Sequence, residues 1–186
     1  GPSSSKGDIN NDGRIDLFVG GESGISSKVL IAESNGSYRL LPQPELEMDH
    51  LNCDASSSLF DYDGDGDLDL FVGGGGYFKK DQDPFYKDRL YINDGDGIYK
   101  KENSPSLLEN SSFVYPVDLN SDNRQDMIIF AGAKPGNYPE CGRSYVLINS
   151  KDGFKIDTTI LPLSGYLGIV SCAIEYEPFG KNKIVI

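Results

Sequence analysis

Asp61-Tyr62-Asp63-Gly64-Asp65-Gly66-Asp67-Leu68-Asp69-Leu70-Phe71-Val72-Gly73-Gly74 is the stretch that decides the fold. A carboxylate at every second position reads as a loop, and the apolar run that follows at once reads as a strand buried on both faces. The arrangement recurs. Asp8 to Asp16 leads into Leu17-Phe18-Val19-Gly20-Gly21, and Asp118 to Asp126 leads into Met127-Ile128-Ile129-Phe130-Ala131-Gly132. The loops start at Asp8, Asp61 and Asp118, a nearly constant period. One further period reaches Glu175, where 175–183 keeps the shape with most carboxylates gone and reads as a fourth, metal-free loop.

A second element recurs downstream of each loop: Lys28-Val29-Leu30-Ile31, Asp88-Arg89-Leu90-Tyr91-Ile92 and Ser144-Tyr145-Val146-Leu147-Ile148. Each is followed by a turn rich in Asn, Asp and Gly and then by an aromatic-bearing strand with Tyr38, Tyr99 or Phe154. Such turn residues supply the positive φ of tight hairpins. With the strand before each loop, such as Ala55 to Phe60 or Phe113 to Val117, every repeat holds four strands. Four-stranded units at this period indicate an all-β chain of antiparallel β-propeller blades, about three repeats and a partial fourth. Three blades do not close a ring, so blade-to-blade contacts with missing repeats or other chain copies are expected. Only Pro42 to Leu51 has a pattern that admits a helical turn.

Composition agrees. The 186 residues hold 22 Gly, 10 Pro, 11 Tyr, 9 Phe and no Trp, which suits many turns and short strands around one modest core. No apolar run of about 18 residues exists to enter a membrane. Gly1 to Ser5 reads as a tag scar or linker outside the repeats, which then occupy 6–186, with the chain starting at a loop that lacks its preceding strand. Cys53, Cys141 and Cys172 are an odd, irregularly spaced set that reads as small buried residues, with one disulfide and one leftover thiol as the alternative.

The charge is local. The three Asp loops hold 11 of the 29 acidic residues and two of the 17 basic ones, so −9 of the net −12 sits on these loops alone. That distribution indicates a divalent cation at particular loops, and the lack of a basic stripe argues against a nucleic-acid partner. Calcium takes six to eight oxygens, supplied by inward-pointing alternate residues around a turn made by Gly. Loop 1 offers Asp8, Asn10, Asp12 and Asp16 with the carbonyl of Arg14. Loop 2 offers Asp61, Asp63, Asp65 and Asp69 with the carbonyl of Asp67. Loop 3 offers Asp118, Asn120, Asp122 and Asp126 with the carbonyl of Arg124. Gly13 and Gly66 take the sixth position, and Asn123, the next best residue for a left-handed backbone, replaces Gly in loop 3. The EF-hand is excluded, because its twelfth-position Glu is replaced by Val19, Val72 and Ile129. About three calcium sites are expected, changing the formal charge from −12 to −6 when filled.

These loops resemble the FG-GAP/VCBS repeat family, known from the integrin α-subunit propeller. Asp88-Arg89-Leu90-Tyr91-Ile92-Asn93-Asp94-Gly95 and Pro135-Gly136-Asn137-Tyr138-Pro139 are similar to its cartilage acidic protein-like branch. The resemblance implies a calcium-stabilised propeller that is secreted or on the cell surface, serving adhesion or the binding of a protein or glycan ligand.

Catalysis is not expected. His50 is the only His and has no visible partner, and the carboxylates are already assigned to metal. The alternative reading is a scaffold portion of a secreted carbohydrate-active enzyme, such as a polysaccharide lyase. The remaining candidates for ligand contact are Tyr77, Phe78, Phe85, Tyr86, Tyr138 and Arg143, on the long connections 73–87 and 131–143.

Overall fold

The computed structural model describes residues 2–161 together with the strands 174–176 and 183–185. Three antiparallel four-stranded sheets follow one another along the chain, each a simple meander. The first holds β1 (Ser4–Gly7), β2 (Asp16–Val19), β3 (Lys28–Ala32) and β4 (Tyr38–Leu41). The second holds β5 (Asp54–Phe60), β6 (Asp69–Gly74), β7 (Arg89–Asn93) and β8 (Tyr99–Glu102). The third holds β9 (Ser111–Val117), β10 (Asp126–Ala131), β11 (Tyr145–Ser150) and β12 (Gly153–Asp157). A two-stranded unit, β13 (Ile174–Tyr176) with β14 (Lys183–Val185), comes last. The degenerate loop expected at 175–183 lies mostly outside the described residues, as does Cys172. These sheets have the form of propeller blades and, among the described residues, do not close into a ring. Among the described residues no helix is long and apolar enough to cross a membrane.

The Ser-rich start differs from the sequence reading. Ser4 to Gly7 pairs with Val19 to Asp16, so the first loop does have its preceding strand, and Ser4 and Ser5 belong to the sheet rather than to a linker. Ladder hydrogen bonds to β2, not side-chain pattern, hold this segment. The helical turn is found as α1 (Pro44–Met48), with Leu46 buried.

Period-two side-chain alternation explains why the second strand of each sheet is apolar throughout. On β6, Leu70 and Val72 join Phe18, Val29, Ile31, Tyr91 and Tyr99 in the core between the first two sheets. Phe71 points the other way, into the core with Met127, Ile129, Tyr145 and Leu147 between the second and third. Each such side chain contributes about 1.5–3 kcal/mol by leaving water.

Polar clasps join the sheets beside these cores. At the first junction Asp54, which begins β5, accepts from the Gly21 N–H at 2.6 Å and from the Ser27 hydroxyl of the first sheet. At the second the partners are exchanged. Asp88, just before β7, accepts from the Gly74 N–H at 2.9 Å and from the hydroxyl of Ser111, which begins β9, at 2.8 Å.

Candidate metal centre and ligand face

Each Asp loop connects the first two strands of its sheet, and the hairpin between the third and fourth strands lies at the same end. The long connections between second and third strands lie at the opposite end. The sequence-selected residues are therefore divided between two ends of the molecule.

The loops are built alike. The first-position carboxylate caps the turn: Asp8 accepts from the N–H groups of Asp12 and Gly13 at 3.0 and 2.7 Å, and Asp61 from those of Gly64 and Gly66 at 2.7 and 3.2 Å. Asp118 accepts from Ser121 and Asn123 at 2.7 and 2.9 Å. The turn needs left-handed backbone at the sixth position, met by Gly13, Gly66 and Asn123 at φ 84°, 95° and 64°. It needs it at the fourth position too, where Asn11, Gly64 and Ser121 have φ 56°, 85° and 62°.

The ninth-position carboxylates, Asp16, Asp69 and Asp126, are buried. One oxygen accepts from the second-position N–H of the same loop, Ile9, Tyr62 or Leu119, at 2.9, 2.8 and 3.0 Å. The other accepts from the last part of the third strand, at Ala32, Asn93 or Asn149, at 2.7, 2.8 and 2.8 Å. These aspartates staple the loop to the sheet in all three repeats. Burial pushes the Asp69 carboxyl up to about 7 despite its two N–H donors, with Asp63 and Asp65 adding to the rise. Burial likewise raises Asp126.

Loop 2 brings Asp61, Asp63 and Asp65 together, with one carboxylate oxygen of each within 4.8 Å of the others, and this group can hold a metal ion. Partial burial, then the charge of Asp65, raises the Asp63 carboxyl, as expected of crowded like charges. In loop 1 the Asn10 side-chain oxygen is buried with no hydrogen-bond partner among the described residues, an acceptor that a cation would satisfy. There Arg14 also pairs with Asp12, so loop 1 carries less uncompensated charge than loop 2. Loop 3 keeps the alternation through Asp118, Asn120 and Asp122, with the Asn120 oxygen accepting the Asp122 N–H at 2.9 Å. A cleft of about 670 Å³ between loops 2 and 3, lined by Asp61, Asp63, Asp122 and Arg124, leaves them open to solvent.

At the opposite end, Tyr77 and Phe78 are 63% and 77% exposed and line a cleft of about 500 Å³ with Cys53, Asn110, Ser112 and Gly132. Tyr138 is 82% exposed and Arg143 is exposed, both on the third sheet's own connection. Tyr86 is a correction: it is fully buried, donates to the Lys79 carbonyl at 3.0 Å and closes over the end of β6, so it is a packing residue. Phe85 is half-buried, edge-on to Tyr86 at 5.6 Å with the Lys79 ammonium 5.8 Å from its ring centre. Cys53 is buried and Cys141 half-buried, and among the described residues both are free thiols. Sequence reasoning missed Asn93 and Asn149, which it took as turn residues, although both lie at the end of the third strand at one repeat position.

No curated protein matches the chain in sequence. A solved structure of an Agrocybe aegerita lectin, described as specifically recognising non-reducing terminal N-acetylglucosamine, superposes with a TM-score of 0.52 at 16% identity. The match covers 90% of this chain and 39% of the lectin, so the chain spans well under half the length of that relative, and the likeness is one of fold. The FG-GAP-like repeat matches residues 8–72 and again 61–129, running from the first Asp loop through the second sheet and into β10. With its loops, strands and sheet order all in that register, the chain belongs to the FG-GAP-like repeat family.

Proposed function

We propose that this chain is a calcium-stabilised, non-catalytic recognition module that works outside the cell, with its Asp loops as clamps and its opposite end as the ligand face. The observation that carries the reading is the division of labour between the two ends. Uncompensated carboxylates gather at one, and exposed aromatic rings border a cleft at the other. Calcium fits the first end because the donors are all oxygens on a short, turn-constrained loop. Asp61, Asp63 and Asp65 would hold it in loop 2, with Asp8, Asn10 and Asp12, and Asp118, Asn120 and Asp122, as the corresponding sets. The bound ion would replace mutual repulsion with attraction and rigidify the turn.

A glycan is the ligand class favoured for the second end. Tyr77 and Phe78 offer exposed apolar ring faces bordering the cleft, and such faces stack on a sugar ring. The likeness in fold to a lectin supports this choice. His50, the lone imidazole, is spent at the surface on the Glu47 carbonyl, with its Nδ1 at 2.9 Å.

Thermal melting tests the first half: millimolar calcium should raise Tm and a chelator should reverse the rise, and indifference to both refutes the clamp. A glycan array tests the second. Binding that disappears in Tyr77→Ala and Phe78→Ala supports the assigned face, while turnover of a bound polysaccharide would favour the enzyme-scaffold alternative.

A further inference from the structure

We propose that Asn93 and Asn149 couple neighbouring Asp loops, so that a cation held in one loop raises the affinity of the next. This rests on the cation reading above.

Asn93 ends β7 with its N–H and its whole side-chain amide engaged. The N–H donates to Asp69 at 2.8 Å, closing loop 2. The side-chain amide donates across the sheet junction to the Ile9 carbonyl of loop 1 at 2.7 Å. The side-chain oxygen accepts from the N–H groups of Gly95 and Gly97 at 3.1 and 3.0 Å, which fixes the rotamer. Ile9 lies between the candidate ligands Asp8 and Asn10, and its own N–H is on Asp16 at 2.9 Å.

Asn149 repeats the arrangement one sheet later. Its N–H closes loop 3 on Asp126 at 2.8 Å, and its amide reaches back to the Tyr62 carbonyl of loop 2 at 2.7 Å. Tyr62 lies between Asp61 and Asp63 and donates its N–H to Asp69 at 2.8 Å. A continuous hydrogen-bonded path therefore runs Asp16, Ile9, Asn93, Asp69, Tyr62, Asn149, Asp126. Each link joins a loop's closing carboxylate to the peptide between two candidate ligands of the preceding loop. The first sheet has Ala32 at the equivalent position: its N–H closes loop 1 on Asp16 at 2.7 Å, but it has no amide to extend the path.

The energetic reason for coupling is the cost of moving one loop alone. Asn93 is 2% exposed and its amide also donates to the Leu68 carbonyl of loop 2 at 3.2 Å, so a shift of loop 1 that breaks the shorter Ile9 contact leaves one buried N–H unpaired, whereas loops that move together keep it. Asn93 and Asn149 are positioning residues in this scheme, not ligands.

Terbium luminescence sensitised by Tyr62 reads loop 2 in a chain without Trp, with Tyr62→Phe as the control for signal origin. Disabling loop 1 by Asp12→Asn should weaken terbium at loop 2 by about five-fold or more. In Asn93→Asp, which keeps the oxygen for Gly95 and Gly97 but loses the donor to Ile9 and to Leu68, the same change should cost less than about two-fold. An equal effect in both backgrounds, or none in either, overturns the coupling. Asp122→Asn paired with Asn149→Asp applies the same criterion at the second junction should Asn93→Asp fail to fold. Absence of any Tyr62-dependent, calcium-competed signal in the unmodified chain overturns the cation reading itself, a result distinct from uncoupled binding.

Discussion

The Tyr145 hydroxyl of the third sheet donates to the buried carboxylate of Asp88 on the second. Asp88 also accepts from Gly74 and Ser111, yet among the described residues no cationic side chain is hydrogen-bonded to it. The counterpart at the first junction, Asp54, is met by the Arg89 guanidinium at 2.7 Å. The two junctions thus use one clasp with different charge balance, and burial raises the Asp88 carboxyl.

That rise gives a signed pH prediction. An Asp whose folded-state pKa lies above its unfolded value contributes stability at low pH, and loses it as pH climbs through the raised value. Asp88→Asn cannot ionise, so its Tm relative to the unmodified chain should improve as the pH rises out of the ordinary carboxylate range toward neutral. A relative gain of a few degrees is expected, since about 1 kcal/mol moves Tm by about 2–4 °C in a chain of this size. A pH-independent difference would mean that Asp88 does not titrate in this range.

The staple and ligand roles of loop aspartates should separate in melting experiments under chelator. Asp69→Ala orphans the N–H groups of Tyr62 and Asn93, each costing about 1–3 kcal/mol, so Tm should fall by at least about 5 °C. Asp63→Ala removes one of three carboxylates crowded together in loop 2, so under chelator it should be neutral or slightly stabilising. Added calcium should then stabilise Asp63→Ala less than the unmodified chain, because Asp63→Ala loses a ligand. Equal losses under chelator would contradict the separation.

Much of this was legible because the loops and strands obey fixed local periods. Alternate acids, the Gly or Asn at position six and the apolar run after position nine need no knowledge of neighbouring sheets. What stayed hidden depends on them. Ser4 to Gly7 has no strand pattern and gains its structure from pairing with β2. Tyr86 and Tyr77 look alike in sequence, and only the folding-back of the 3-10 turn Pro84–Tyr86 buries one and leaves the other exposed. Asn93 and Asn149 read as turn formers, and they do hold turns. Their second role across the junction is set by tertiary placement.

Tyr86 and Phe78 should accordingly respond in opposite ways. Tyr86→Phe removes the hydroxyl that bonds both the carbonyl and the N–H of Lys79, at 3.0 and 3.3 Å, and should cost about 1 kcal/mol of stability. Glycan binding should be untouched. Phe78→Ala, at a side chain 77% exposed, should leave Tm within about 1 °C and abolish or weaken binding on the array. A loss of binding without destabilisation in Tyr86→Phe would return Tyr86 to the ligand face.

The approach of the second and third sheets depends on Gly73. A Cβ there would lie 3.0 Å from both Ser111 Cβ and Val114 Cγ1, and Gly20 is similarly crowded by Asp54 Cβ at 2.8 Å. Neither glycine has a positive φ, so the requirement is steric rather than conformational. The third repeat has Phe130 at this position, stacked with Phe113 at 6.2 Å, which shows that the far face of the third sheet is packed differently. Gly73→Ala should push the second and third sheets apart and cost about 1–3 kcal/mol, the usual range for overpacking. Because the shift would strain the Ser111 contact to Asp88, hydrogen exchange at the Gly74 N–H should accelerate more than at the Gly21 N–H. Uniform acceleration at both junctions would mean that the sheets do not open separately.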